Sequence, residues 1–491
     1  MNKHYDYIIV GGGISGLYLC HYLAKNKSKN ILLVEKLPRL GGRIYSEKVL
    51  HNNKNYIFET GAARFHEGQH RLMKLVNYLD LKKEIIGYSC KIENEIDNLL
   101  EKISKKILQA KKKDIFNMTF FDFVIKHESK ESVNLLKNFT YYDNLKKGNA
   151  EYVALSYLKN YNQKNYITLK NGMSQLVNKL EQKIKTQKNC EIKMSFNVED
   201  VLKEKNIFKI KNTEYTCEKI IFCIPGKFLK NFTLFKSITP VFDSVYLKNS
   251  NRTYILVNDK DVNFFKNNMF VTKEKIKTAT CFKDEKCLIS YCDGDCADYW
   301  FNQNKKGSLE MKIFEDMKKI SKSVHKPKLF KNYYWLKSLP IWKPKFNYKK
   351  ISKQMINPYK NVFVAGDTFS LDQKWIEGAL STSEQVIKLC KKQNNKTRKI
   401  KNIKGGTNKI YSMSDVKKHN KKSDGWIVIK NKVYDVTKFI DQHPGGPQIL
   451  LDRIGKDATN DFIARGHPEY VEKTILPKYY IGKLSSKTKK N

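Results

Sequence analysis

The chain has 491 residues and a formal charge of +44, from 93 Lys and Arg against 49 Asp and Glu, with 41% hydrophobic residues. That length exceeds one compact core and points to two to four domains, while the apolar content excludes a disordered chain. No apolar run reaches the roughly 18 residues of a membrane-spanning helix. The ten cysteines contain no CxxC pair, and the first strand begins at Tyr5, leaving no room for a signal segment. The expectation is a reduced, intracellular, cytoplasmic protein. Its positive charge is spread along the chain with abundant Asn and Ile. Basic runs such as Lys111–Lys113 lack stacking aromatics or a groove-reading helix, so nucleic acid is not an expected partner.

In chain order, Tyr5–Val10 reads as a buried strand, Ser15–Lys25 as a helix and Asn30–Glu35 as a second strand. Gly11, Gly13 and Gly16 lie between the first two. The first glycine permits a tight turn, the second lets backbone approach a pyrophosphate, and the third allows close helix–strand packing. The helix start then offers amide N–H groups and a positive dipole end to phosphates. Glu35, nineteen residues past Gly16, ends the second strand where an acid can accept from ribose hydroxyls. Lys91–Lys137 is lysine-rich with apolar residues at helical spacing (Ile92, Ile96, Leu99, Leu100, Ile103), as suits a helical insertion over a pocket. Residues 391–408 are almost devoid of apolar side chains and carry Gly405-Gly406, the composition of a flexible linker.

Further segments follow in a telling order: Gly41-Gly42-Arg43, Asn171-Gly172-Met173, Val198 in FNVEDV, IIFCIP ending at Pro225, Gly366-Asp367 after a strand, and Trp375-Ile376-Glu377-Gly378-Ala379 opening a helix. Together with the glycine turn they resemble the flavin amine oxidase family over most of residues 1–390. The resemblance implies FAD. Gly42 would let the chain run against its pyrophosphate, Arg43 would contact that group, Val198 would bond adenine through its backbone, and Asp367 would meet the ribityl chain. The helix start at Ala379 would face the pyrimidine ring. No match to a flavin-carrying cysteine is found, so the FAD is expected to be non-covalent.

On the substrate side, Glu59–Phe65 (ETGAARF) is similar to L-amino-acid oxidases, in which the matching arginine binds the substrate carboxylate. Arg64 is thus either a carboxylate clamp or an arginine paired with a structural acid. Trp375 is either one wall of the family's aromatic cage or packing beneath the last helix. Arg252 falls about where the family often has a water-holding lysine. The usual glycine-aromatic second wall is missing. Trp335–Trp342 (WLKSLPIW) stands there instead and resembles members that desaturate ring or polyene substrates.

Residues 410–484 carry a second resemblance, to cytochrome b5: YSMSDVKKHN, DGWIVIKNKVYDVTKFIDQHPGG, GKDATNDF and RGH. His443 and His467 lie twenty-four positions apart, matching that family's two haem ligands and implying haem b. Leu450, Leu451, Ile454 and Phe462 would line its crevice. Two axial histidines leave iron no open position, which favours one-electron transfer over oxygen activation.

The resulting expectation is an α/β protein. A doubly wound, Rossmann-like FAD-binding domain (about 1–75, 170–235 and 355–390) would carry an α+β substrate domain (about 76–169 and 236–354). A linker (391–408), a small α+β cytochrome b5-like domain (409–485) and a tail (486–491) would follow. The leading function is FAD-dependent oxidation of an amine or amino acid, with electrons passed through the fused haem to an unknown one-electron acceptor. The alternatives are a desaturase-like flavoprotein acting on a larger apolar substrate and an electron carrier whose haem domain serves a separate enzyme.

Overall fold

The structure, a computed structural model, describes residues 3–90, 95–139, 144–163, 165–266, 270–272, 274–276, 278–282, 287–404, 410–467 and 471–485. It divides into two compact units, Met1–Ile387 and Lys388–Asn491.

Strands Lys3–Val10 and Ile31–Val34 bury nearly every residue from Tyr7 and Ile31 onward. This is the pattern of parallel strands covered on both faces. They lie at the centre of a seven-stranded sheet. Cys190–Lys193, Ile31–Val34, Lys3–Val10, Tyr215–Phe222 and Val362–Val364 run parallel, and the hairpin Val201–Glu204/Ile207–Ile210 extends the edge. The first helix, Ile14–Leu23, starts directly from the glycine turn. A second sheet of five antiparallel strands includes the long Val245–Leu256 and Leu329–Trp342, with a bulge between Lys248 and Ser250. Helices Glu95–Gln109, Phe120–His127 and Lys130–Phe139 realise the lysine-rich insertion. Leu100, Ile103 and Ile107 join its inward stripe to the main core, and Ile92 lies outside the described residues.

Two sequence expectations are corrected. The helix Ile376–Lys404 runs through most of the segment read as a flexible coil. Composition misled there: Lys, Gln and Arg propagate a helix well, and no Gly or Pro interrupts the chain between Gly378 and Gly405. In addition, Cys20 of the first helix and Cys190 of the neighbouring strand are joined as a disulfide, against the reading of a fully reduced chain. Among the described residues no helix is long and apolar enough to cross a membrane.

In the second unit a small mixed sheet includes Asp424–Ile429, Lys432–Asp435 and Tyr480–Leu484. Helices Pro447–Leu451 and Thr459–Ala464 carry Leu450 and Phe462 into an apolar cluster with Ile454, against which Leu451 packs.

Candidate functional site

A single cavity of about 750 Å³ in the first unit is lined by Gly11, Gly13, Glu35, Gly42, Arg43, Arg64, Val198, Gly366, Asp367, Trp375 and Ala379. All of these were singled out in the sequence. Gly16 lies behind the lining, and its role is packing: a Cβ there would stand 1.9 Å from the Gly11 carbonyl oxygen. Gly11 takes φ +110 and forms the turn, while a Cβ on Gly13 or Gly366 would meet nothing within 4 Å. Those two glycines therefore face open cavity, a cradle that a side chain would fill. Two helix starts border the space, because the Ser15 hydroxyl donates to the Ala379 carbonyl at 3.3 Å. The positive ends of these helices suit a diphosphate and a ring that gains negative charge.

The polar residues are positioned by one another. Glu35 accepts from the amides of Gly12 (2.6 Å) and Leu37 (2.9 Å), leaving the other lone pairs of its carboxylate toward the cavity. Arg43 forms a bidentate pair with Asp367, at 2.9 and 2.5 Å, and also donates to the Ser338 carbonyl. Each would reach a cofactor from within that pair.

The substrate end is built around the segment Glu59–Arg64. Arg252 donates to the carbonyls of Glu59 (2.8 Å) and Gly61 (2.6 Å), and Trp335 Nε1 donates to that of Thr60 at 2.7 Å. Arg252, placed in the sequence near the water-holding position, thus fixes this segment, and so does the first residue of WLKSLPIW. Burial pushes the Glu59 carboxyl up to about 7, against the lowering influence of the Met173 amide, the Ser46 hydroxyl and Arg252. The Arg64 guanidinium lies 4.1 Å from the Tyr166 ring centroid. Tyr166 and Trp375 are parallel within 6°, with centroids 6.4 Å apart, and Tyr161 meets Trp375 edge-on at 5.6 Å. Trp375 therefore stands on the cavity wall. Tyr166, from the strand Asn165–Leu169, supplies an aromatic partner that the sequence reading did not find.

Sequence reasoning also missed Tyr161, Tyr291, Asp293 and Lys374, all of which line the cavity. Tyr161 ends a single π-turn, Tyr157–Tyr161. The available signals were aromatic density in YLKNYNQKNY and a lysine directly before Trp375.

In the second unit the ring centroids of His443 and His467 are 6.5 Å apart. Two metal–imidazole bonds of about 2 Å each, plus the ring radii, account for that separation. His443 Nδ1 is 3.1 Å from the Gly446 carbonyl oxygen, and His467 Nδ1 is 3.0 Å from that of Phe462. A carbonyl can only accept, so both Nδ1 atoms donate and both Nε2 atoms are left as ligands. Among the described residues no cluster of three or more His, Cys, Asp or Glu could hold a metal. Two imidazoles suit a metal that brings its own equatorial ligands.

The first unit is thus a dinucleotide-binding, flavin-oxidoreductase fold, and the second is a haem-binding module of the b5 kind. Comparison with known proteins agrees. Residues 9–79 match the NAD(P)-binding Rossmann-like domain family, and residues 412–485 match the Cytochrome b5-like Heme/Steroid binding domain family. A cytochrome b5 of Nicotiana tabacum is 48% identical over 84 residues, 17% of this chain and 61% of that protein. The chain therefore spans about three fifths of that relative's length. Cyclohexylamine oxidase from Brevibacterium oxydans IH-35A aligns over 80% of this chain and 100% of its own, with a TM-score of 0.63 at 13% identity. A putative protoporphyrinogen oxidase from Exiguobacterium sp. 255-15 aligns over 80% and 99%, with a TM-score of 0.58 at 13% identity. The first unit has the fold of the flavin amine oxidases, and the second contains a cytochrome b5-like domain.

Proposed function

We propose that this chain is an FAD-dependent oxidoreductase that oxidises an amine or amino acid and passes the electrons through its own b5-type haem to an outside one-electron acceptor. The observation that carries this reading is that the glycine cradle and the aromatic wall of Trp375 and Tyr166 line one and the same cavity. FAD, when bound, accepts the electron pair removed from the substrate. Gly11, Gly13, Gly42 and Gly366 would make room for its diphosphate, Glu35 would accept from ribose, Val198 would meet adenine, and Arg43 with Asp367 would hold the middle. Trp375 and Tyr166 orient the substrate and exclude water, while Arg64 pairs with a carboxylate. The cofactor is non-covalent. The cysteine lining this cavity, Cys223, sits at the glycine turn, and burial raises its thiol well above the reactive range. His443 and His467 would hold haem b through their Nε2 atoms, and that group would supply one-electron transfer.

Residues 335–339 of WLKSLPIW line the same cavity, and that observation keeps a desaturase reading in play. Anaerobic mixing with a panel of amines, amino acids and partly reduced ring compounds separates the two. Bleaching of the flavin by amines or amino acids supports the proposal, whereas bleaching by the ring compounds alone replaces it with the desaturase. Acid precipitation should leave the flavin in the supernatant.

A further inference from the structure

Lys374 adopts φ +72, the left-handed region in which a side chain is disfavoured and glycine is the relaxed choice. Its backbone is held there by Asp367 Oδ2, which accepts the Lys374 N–H at 3.3 Å, and by neighbouring Gln373, which bonds Trp342 N, Thr368 O and the Tyr152 hydroxyl. In this strained conformation Lys374 lines the cavity beside Trp375 and also the small pocket behind it. There Nζ stands 5.2 Å from the Tyr161 ring centroid. Among the described residues no side chain or carbonyl forms an ion pair or hydrogen bond with that Nζ.

The groups around it are accounted for. Asp293, at the end of strand Cys287–Asp293, is engaged by the fully buried Lys248. Asp367 is engaged by Arg43. Tyr161 feels both Asp293 and Arg64, and Tyr152 and Tyr157 pack behind. Both nearby carboxylates thus already have cations of their own, and the positive charge of Lys374 faces the chamber.

We infer that Lys374 is a substrate-recognition residue that pairs with an anionic group, so that this site takes carboxylate-bearing substrates in preference to simple cationic amines. A half-buried ammonium without an ion partner is incompletely satisfied, and a substrate carboxylate would complete it. It would also repel a protonated substrate amine, favouring the neutral form. Burial already pulls this ammonium down to about 8, although Asp293 and Asp367 oppose that. Carboxylate binding should therefore be strong below pH 8 and fade above it.

The inference rests on the proposed function for the location of the substrate, but its test needs no turnover. Benzoate and uncharged benzamide are titrated calorimetrically into the FAD-loaded full chain between pH 6.5 and 9.5. The wild type is compared with Lys374→Gly, which relaxes the backbone, and with Lys374→Arg, which keeps its charge throughout. The glycine variant should lose roughly 10- to 100-fold in benzoate affinity at pH 7, the worth of one charge-assisted contact, with benzamide unchanged. Wild-type benzoate binding should weaken above pH 8, while the arginine variant should hold it. Equal benzoate affinity in wild type and Lys374→Gly would overturn the inference, as would equal losses for both probes. If no amine or amino acid bleaches the flavin while the lysine-dependent benzoate binding persists, the oxidation chemistry falls and the anion site stands.

Discussion

Glu59 sits behind the substrate wall, 2% exposed, with its carboxylate oxygens taken by the Met173 amide (2.7 Å) and the Ser46 hydroxyl (2.9 Å). Its folded pKa, about 7, lies above its ordinary value of 4.5. The folded state therefore holds the proton more tightly between those two values, and stability falls as pH rises through that window before levelling off. Glu59→Gln should remove this slope: relative to wild type it should gain little near pH 4.5 and on the order of 3 kcal/mol by pH 8. Denaturant unfolding of both proteins at several pH values measures the difference, and parallel pH profiles would show that the proton is not there. Arg64 makes a second prediction at this scale. Arg64→Met should weaken amino-acid substrates by about 2–4 kcal/mol in transition-state binding and carboxylate-free amines far less, as steady-state kinetics would report. Equal losses for both classes would make Arg64 a packing residue.

The glycine turn separates two kinds of constraint within one element. Gly16 packs against backbone, so Gly16→Ala should cost folding itself, seen as a lowered melting temperature without cofactor. Gly13 faces open cavity, so Gly13→Val should leave the melting temperature of the cofactor-free chain near wild type while weakening FAD about 10-fold or more. This element was legible in the sequence because its information is local: a strand, three glycines at fixed spacing and a helix occur in one short stretch. The same holds for the two histidines, whose flanking strands and Pro444-Gly445-Gly446 turn lie close by. Tyr161, Tyr166 and Lys374 were illegible for the opposite reason. Tyr161 and Tyr166 are close in sequence, but they meet Lys374 and Trp375 only because a π-turn and a strand pack against a loop about two hundred residues further on, and no periodicity announces such convergence. The segment 391–408 was misread because polarity resembles a coil, although straight-chain residues without Gly or Pro also extend a helix.

At the scale of the whole molecule, two redox groups on one chain should exchange electrons as a unimolecular event. Because both groups belong to one covalent chain, transfer between them needs no encounter between molecules. After anaerobic mixing with an active substrate, flavin bleaching should precede haem reduction, and the haem rate should not change with protein concentration. Deleting residues 409–491 should preserve flavin reduction and slow delivery to a one-electron acceptor in stopped-flow traces. A haem rate proportional to protein concentration would mean transfer between molecules, and haem that stays oxidised beside reduced flavin would favour the electron-carrier alternative. Either His443→Ala or His467→Ala should abolish the low-spin haem spectrum without altering flavin absorbance. The carbonyls of Gly446 and Phe462 that hold the two Nδ1 atoms also decide which face of each ring can be read by a partner. With the Nδ1 protons spoken for, each ring offers Nε2 as its one lone pair, so attachment through the wrong nitrogen is shut out and the pair presents a single handedness of ligation.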